Sequence, residues 1–460
     1  MKKHLSILLT AAMLAAFTGC SGNQESVPAS DTSSQTESSA AEESSAAEES
    51  SAAEESSAVE ESSAPSESDA VSSIEESSQS DPLPDESEPE QTEPVEDTRT
   101  DYEKMVDRSL LSVGDMTRMA NVLKRAQGGE DITVAYIGGS ITVGYNSGTT
   151  EFYAKTCTDF LQSQLPECTV TGVNAGISGT PSLLGNLRLE RDVLAYDPDI
   201  VFVEFAVNDG QEEDYKNAYE SLVRTLLTQD KEIAVVLLFT VLDNGYTCQE
   251  HMSQIGANYG LPMISVPDSV YAEIEAGRMT WQDYSNDQSH PNEYGHKCIT
   301  DFVANYYDKV IPLISEKAGA VDKTLPEPVF SGRYADMHFM DSQTMQNVTL
   351  DGFKEYTTHD NFQNGWMYRG DTGASMSFNV NCSVLELVFK ANNSPNFATA
   401  DIYVDGVKTS SVVSNMEDGW NNPVTAYLID GDTAAEHTVE IKVEGGNKGA
   451  FYVLAFGYCD

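Results

Sequence analysis

Positive charge is what this chain most lacks. Its 460 residues carry 26 Lys and Arg against 74 Asp and Glu, a formal net charge of −48 at pH 7. A chain of that sign repels phosphate, which argues against nucleic acid and anionic lipid as partners and suits neutral polymers outside a cell. The seven cysteines include no close Cys-x-x-Cys pair, so nothing in their spacing marks a zinc site. Beyond the first twenty residues no stretch is long and apolar enough to span a bilayer. Between residues 21 and 98 aromatic and large apolar side chains are almost absent, which removes the material of a hydrophobic core.

What occupies that region is repetitive. The hexad Ser-Ser-Ala-Ala-Glu-Glu runs from Ser38 through Glu61, with Val59 its one deviation, and a Pro/Glu/Asp-rich piece follows. Residues 21–100 hold 23 Asp and Glu and one Arg, Arg99. Such a segment is expected to be a disordered tether, reaching about 250 Å at about 3.3 Å per residue. Before it, Lys2-Lys3-His4, an apolar run from Leu5 to Phe17, and Thr18-Gly19-Cys20 describe a secretory signal. The cysteine directly after Thr-Gly resembles the bacterial lipoprotein processing site. That resemblance implies cleavage before Cys20, lipidation there, and a protein anchored at the extracellular face of the cytoplasmic membrane rather than spanning it. An ordinary signal peptide with a chance cysteine is the alternative. The expected domains are thus a leader (1–20), a tether (21–98), an α/β domain (99–325) and an all-β domain (326–460).

After a helical lead-in over 102–126, apolar runs at 132–138, 168–174, 200–206, 232–240 and 263–267 read as strands. They alternate with helical stretches at 151–165, 181–196, 214–228 and 249–259, and a last helix begins near Asn292. Near-continuous apolar strands joined by helices predict a parallel sheet covered on both faces. Ligands of such sheets lie at the carboxyl ends of the strands. Those ends carry the polar clusters: Gly138-Gly139-Ser140, then Asn174-Ala-Gly176-Ile-Ser-Gly179, then Ala206-Val207-Asn208-Asp209. The loop after the fifth strand leads to Asp287-Gln-Ser-His290-Pro291.

These four segments in this order resemble the SGNH (GDSL-like) hydrolase superfamily over about residues 125–315. The resemblance implies a flavodoxin-like three-layer α/β sandwich with Ser140 as nucleophile, His290 as base and Asp287 as its acid partner. The N–H groups of Ser140 and Gly179 and the side-chain amide of Asn208 would form the oxyanion hole, and no metal or cofactor is needed. Locally, Phe202–Asp209 and Tyr219–Arg224 look like secreted bacterial carbohydrate esterases. The chain departs from the pattern twice. Gly139 stands where an Asp usually precedes the nucleophile, and Ala206 where a Gly usually stands two before the asparagine. Gly176 competes with Gly179, although spacing from Asn174 favours Gly179. The α/β-hydrolase elbow Gly-x-Ser-x-Gly is excluded, since Gly138-Gly-Ser-Ile-Thr142 lacks its second glycine.

Each residue also has a plainer reading. A serine after a strand is commonly a turn or helix cap, Asn208-Asp209 an Asx turn, and His251 and His296 satisfied structural histidines. Trp281 and Tyr284 are candidates for an aromatic wall against a sugar ring, with loop packing as the alternative. From about residue 330 short β-rich segments separated by Asp405-Gly406, Asp430-Gly431 and Gly445-Gly446 predict an antiparallel, jelly-roll-like sandwich. It loosely resembles modules attached to carbohydrate esterases. Trp366 and Trp420 are its tryptophans, read as core anchors or glycan platforms. Cys382 and Cys459 are either a disulfide or two buried thiols. The expected function is a serine esterase removing O-acyl groups, O-acetyl foremost, from polysaccharide. The alternatives are a lipase or thioesterase, and a catalytically weak glycan-binding lipoprotein.

Overall fold

The computed structural model describes residues 97–357, 359–446 and 449–460. The leader, Cys20 and all but the last two residues of the 21–98 segment lie outside the described residues. Residues 98–460 fall within one compact unit.

The amino-terminal lobe is built on a six-stranded sheet. Its strands are β1 (Leu110–Ser112), β2 (Ile132–Gly138), β3 (Val170–Gly176), β4 (Ile200–Glu204), β5 (Ala234–Phe239) and β6 (Met263–Ser265), in the spatial order β1-β6-β5-β4-β2-β3. β2 to β6 are parallel, and counted among themselves they run 2-1-3-4-5, the flavodoxin-like order. Every residue of β4 and β5 is buried, as expected of strands covered on both faces. On one face Tyr136 stacks on Phe202 at 5.1 Å against the helix Glu293–Val310. On the other, Val203 and Phe205 meet Tyr219 and Leu222 of the helix Glu213–Thr228.

Two readings of this lobe change. The lead-in is two helices, Asp101–Arg108 and Thr117–Gln127, separated by β1, which pairs antiparallel with β6. Three residues are too few to show a period of two. The helix expected over 181–196 is broken into Ser182–Leu187, Leu189–Asp192 and a single turn, Leu194–Tyr196.

The carboxyl-terminal lobe is a nine-stranded antiparallel sheet. Asp405-Gly406 forms the expected hairpin turn, with φ of 54° and 77°. Asp430-Gly431 does not. It lies inside one long strand, Trp420–Val443, and residues 431–434 bulge out between the pairs Val384↔Asp430 and Cys382↔Ala435. Trp366 is a core residue, and Cys382 and Cys459 are free buried thiols. The two lobes share a hydrophobic cluster in which Ile177, Leu183, Leu184 and Leu187 pack with Val384, Val388 and Leu454. Buried Glu220 fastens the connection by accepting the N–H groups of Val329, Phe330 and Ser331 at 2.7, 2.6 and 3.0 Å.

Candidate active site

β2 lies between β3 and β4 at the point where strand order reverses, and Gly138 at its end faces Gly176 on one side and Glu204 on the other. The chain then passes through Gly139 into the short helix Ser140–Val143, which leaves Ser140 at the mouth of the crevice. Buried Arg188 ties this corner together, donating to Ala175 O at 2.6 Å and Gly138 O at 3.2 Å.

The turn has no room for a side chain at 139. A Cβ there would stand 2.2 Å from Asn208 Oδ1, 2.7 Å from its Cγ and 2.8 Å from its Nδ2. The absence of the usual Asp is therefore matched to the position of Asn208. A carboxylate is still present beneath the turn, supplied from β4. Glu204 is fully buried, accepts Thr142 Oγ1 at 2.9 Å and Thr240 Oγ1 at 2.7 Å, and also takes the N–H groups of Gly139 and Thr142. Burial pushes its carboxyl up to about 7, against these donors, which pull it down.

From the opposite side the loop 285–291 brings the second segment. His290 Nε2 lies 2.9 Å from Ser140 Oγ, and His290 Nδ1 lies 2.8 Å from Asp287 Oδ2. The N–H groups of Ser289 and His290 donate to Asp287 Oδ1, each at 2.8 Å, and Asn146 Nδ2 donates to Oδ2 at 2.6 Å. Burial raises the Asp287 carboxyl, but the bonds from His290, Ser289 and Asn146 outweigh it and hold it below the usual carboxylate range. Ser285 Oγ lies within hydrogen-bond reach of two loop carbonyls, His290 O at 2.6 Å and Asp287 O at 2.8 Å, and its single proton serves one of them at a time. The result is a continuous serine–imidazole–carboxylate relay of hydrogen bonds, an arrangement able to deprotonate a hydroxyl nucleophile.

The expected oxyanion groups lie on the same side of the sheet. Asn208 is buried, and neither its Nδ2 nor its Oδ1 has a partner. A buried amide without a partner is costly unless something else completes it. Between the two competing glycines, Gly176 has its N–H committed to Asn174 Oδ1 at 3.0 Å. Gly179 adopts a left-handed φ of 68°. A Cβ on Gly179 would meet Trp420 Cζ2 at 2.8 Å. A tryptophan of the carboxyl-terminal lobe, 44% exposed, thus stands over that glycine. Tyr145 is 50% exposed with its ring edge-on to His290 at 5.0 Å.

The pair nominated for an aromatic wall is misplaced. Trp281 is 9% exposed and Tyr284 0%, and both belong to the hydrophobic core. Trp281 Nε1 donates to Asp287 O, so these rings carry the loop from beneath and present no face to a ligand. His251 and His296 are buried, and burial lowers each to about 4. The residues missed by sequence reasoning are Tyr145, Asn146, Arg188 and Glu204. Asn146 and Tyr145 lie within six residues of Ser140, and Glu204 ends an otherwise apolar strand, which is the one signal that marked it.

The GDSL-like Lipase/Acylhydrolase family model matches residues 136–298, which span Ser140, Gly179, Asn208, Asp287 and His290. This segment is a GDSL-like esterase domain. Two solved structures resemble the chain over both lobes. One is a two-domain esterase (CEX) active on acetylated mannans, co-crystallised with mannopentaose, at 27% identity and TM-score 0.70. It covers 77% of this chain and 98% of its own. The other is a two-domain esterase of the same description without the oligosaccharide, at 26% identity and TM-score 0.71, covering 77% and 99%. No curated protein matches the chain.

Proposed function

We propose that this GDSL-like domain is a carbohydrate esterase that removes O-acyl groups, O-acetyl in the first place, from a polysaccharide through an acyl-serine intermediate. The observation that carries the reading is the Ser140–His290–Asp287 relay, with the unpartnered amide of Asn208 packed against the adjoining Gly139. In this reading His290 Nε2 takes the proton of Ser140 Oγ as the oxygen attacks the ester carbonyl, while Asp287 holds the imidazole by Nδ1 and balances the imidazolium. The oxyanion is met by the N–H groups of Ser140 and Gly179 and by Asn208 Nδ2. Collapse returns the proton to the departing sugar hydroxyl. Water, deprotonated by His290, then attacks the acyl-serine and releases the acid. The chemistry assigned here needs neither metal nor cofactor.

A glycan as leaving group is supported by likeness to esterases active on acetylated mannans and by two exposed rings, Tyr145 against His290 and Trp420 against Gly179. Aromatic faces suit the C–H faces of a pyranose, and the acidic surface does not repel a neutral polymer. In place of Trp281 and Tyr284, these two rings are the proposed sugar contacts. The leader and Cys20 support a lipid-anchored protein on the outer face of the cytoplasmic membrane, with the acidic segment carrying the enzyme outward. The test is acetate release from acetylated mannan and acetylated xylan, wild type beside Ser140→Ala. Loss of release in the variant is the expected result, and undiminished release would remove Ser140 from the mechanism.

A further inference from the structure

We infer that Asn146 is a positioning residue for the Asp287–His290 couple, an inference that rests on the esterase reading above. Its side-chain N–H donates at 2.6 Å to Asp287 Oδ2, the oxygen that also faces His290 Nδ1 at 2.8 Å. The other carboxylate oxygen takes two N–H groups from its own loop, those of Ser289 and His290. Asn146 is different in kind, because it arrives from the nucleophile's side of the site. Tyr145 N donates to Ser140 O at 3.0 Å, and Asn286 Nδ2 returns a bond to Asn146 O at 3.1 Å. The two segments that must meet for reaction are therefore fastened to each other through Asn146 in both directions.

The backbone fits this role. Asn146 has a φ of 53°, a left-handed conformation in which Gly and Asn are the least strained residues. Glycine would satisfy the turn, and asparagine satisfies it and adds a donor. A donor shared with the imidazole on one oxygen has a definite electrostatic effect. It stabilises the ionised carboxylate and lessens the pull of that oxygen on the imidazole proton. Removing it makes the carboxylate more basic, strengthens its hold on the imidazolium and moves the appearance of the neutral base to higher pH. The titratable groups around the couple are Ser140, Tyr145, whose ring edge faces His290, and His296, lowered to about 4 by burial first and by His290 second. None of these replaces the donor.

The experiment compares wild type, Asn146→Gly, Asn146→Asp and Ser140→Ala on p-nitrophenyl acetate across pH. Asn146→Gly keeps the left-handed backbone and deletes the donor. Asn146→Asp keeps the side-chain shape and sets a second carboxylate against Asp287. For both, kcat is expected to fall about tenfold or more with KM changed less than about twofold. The acid limb of the kcat/KM profile is expected to move upward by roughly half a unit or more, further in the Asp variant. Limb position does not depend on the fraction of active enzyme, so a less stable variant is still informative. An unmoved limb in both variants, whether or not the rate falls, overturns the positioning role. Wild-type activity of Ser140→Ala overturns the esterase reading itself, which separates the two failures.

Discussion

Placing an aspartate at Gly139, beside the proposed nucleophile Ser140, should inactivate the esterase. The Cβ of Gly139→Asp would lie 2.2 Å from Asn208 Oδ1 and 2.8 Å from Nδ2, where 3.4 Å begins ordinary contact. Ser140 and the paired β2 fix position 139, so the asparagine head must yield by about 1 Å. An oxyanion donor acts only from within about 2.7–3.1 Å of the developing charge, and loss of one costs about 10²–10³ in kcat, or roughly 2.7–4 kcal/mol. Gly139→Ala carries the same Cβ and should show most of the effect, which separates crowding from added charge. The assay is steady-state hydrolysis of p-nitrophenyl acetate, with thermal unfolding to confirm that the variant is folded. A folded Gly139→Asp enzyme with kcat within about fivefold of wild type would refute the proposed role of Asn208 as an oxyanion donor.

Three further outcomes are expected. Trp420→Ala should raise KM about fivefold on acetylated oligosaccharide while leaving hydrolysis of p-nitrophenyl acetate within about twofold, because a ring stacked on the sugar contributes on the order of 1 kcal/mol and p-nitrophenyl acetate carries no sugar. Equal effects on both substrates would assign Trp420 to shaping Gly179 instead. Glu204→Ala would leave the hydroxyls of Thr142 and Thr240 and two turn N–H groups without their acceptor, so unfolding free energy should drop by about 2–4 kcal/mol in a denaturant titration. Glu386, buried in the carboxyl-terminal lobe, is pushed up to about 8 by burial. Its folded value exceeds its unfolded one, so its contribution is present at low pH and is lost as pH rises from about 4.3 through 8. Glu386→Gln should therefore raise Tm relative to wild type at pH 8 and not at pH 4.5, and an equal difference at both pH values would contradict the assignment.

Much of the amino-terminal lobe was legible because its central strands β4 and β5 are short, largely apolar runs buried at every position, with Glu204 at the end of β4 the one polar residue in them. The strand ends were legible for the opposite reason. A glycine pair, an asparagine or an Asp-x-x-His stands out at the end of an apolar strand or within a terminal loop, and chain order alone brings them to one edge of a parallel sheet. Trp281 and Tyr284 misled because proximity in sequence to Asp287 says nothing about direction. Both rings turn inward to support the loop. Asn146 was passed over because its partner lies 141 residues away, and no local period encodes such a bond. In the carboxyl-terminal lobe Asp430-Gly431 reads as a turn, yet tertiary pairing carries the strand past it with a bulge.

That second lobe is also where the sequence understated function. Leu187 lies so close to Gly457 that a Cβ there would stand 2.5 Å from its Cγ, and Ile177, Leu183 and Leu184 are buried in the same inter-lobe cluster. Ile177 lies between Gly176 and Gly179, and the three leucines belong to the helix Ser182–Leu187 that follows. The lobe therefore packs against the segment that supplies one oxyanion N–H in the proposed mechanism, and it sets Trp420 over the glycine in question. An accessory module that only tethers substrate need not touch this loop at all. Here a single strand, Trp420–Val443, contributes the ring over Gly179, pairs with Ala374–Asn392 in its own sheet and forms part of the buried inter-lobe contact. In the proposed reading a sugar contact and support of the Gly176–Gly179 loop are carried by one element, so variation in that strand is expected to change which ester reaches Ser140 while leaving the Ser140–His290–Asp287 hydrogen bonds in place.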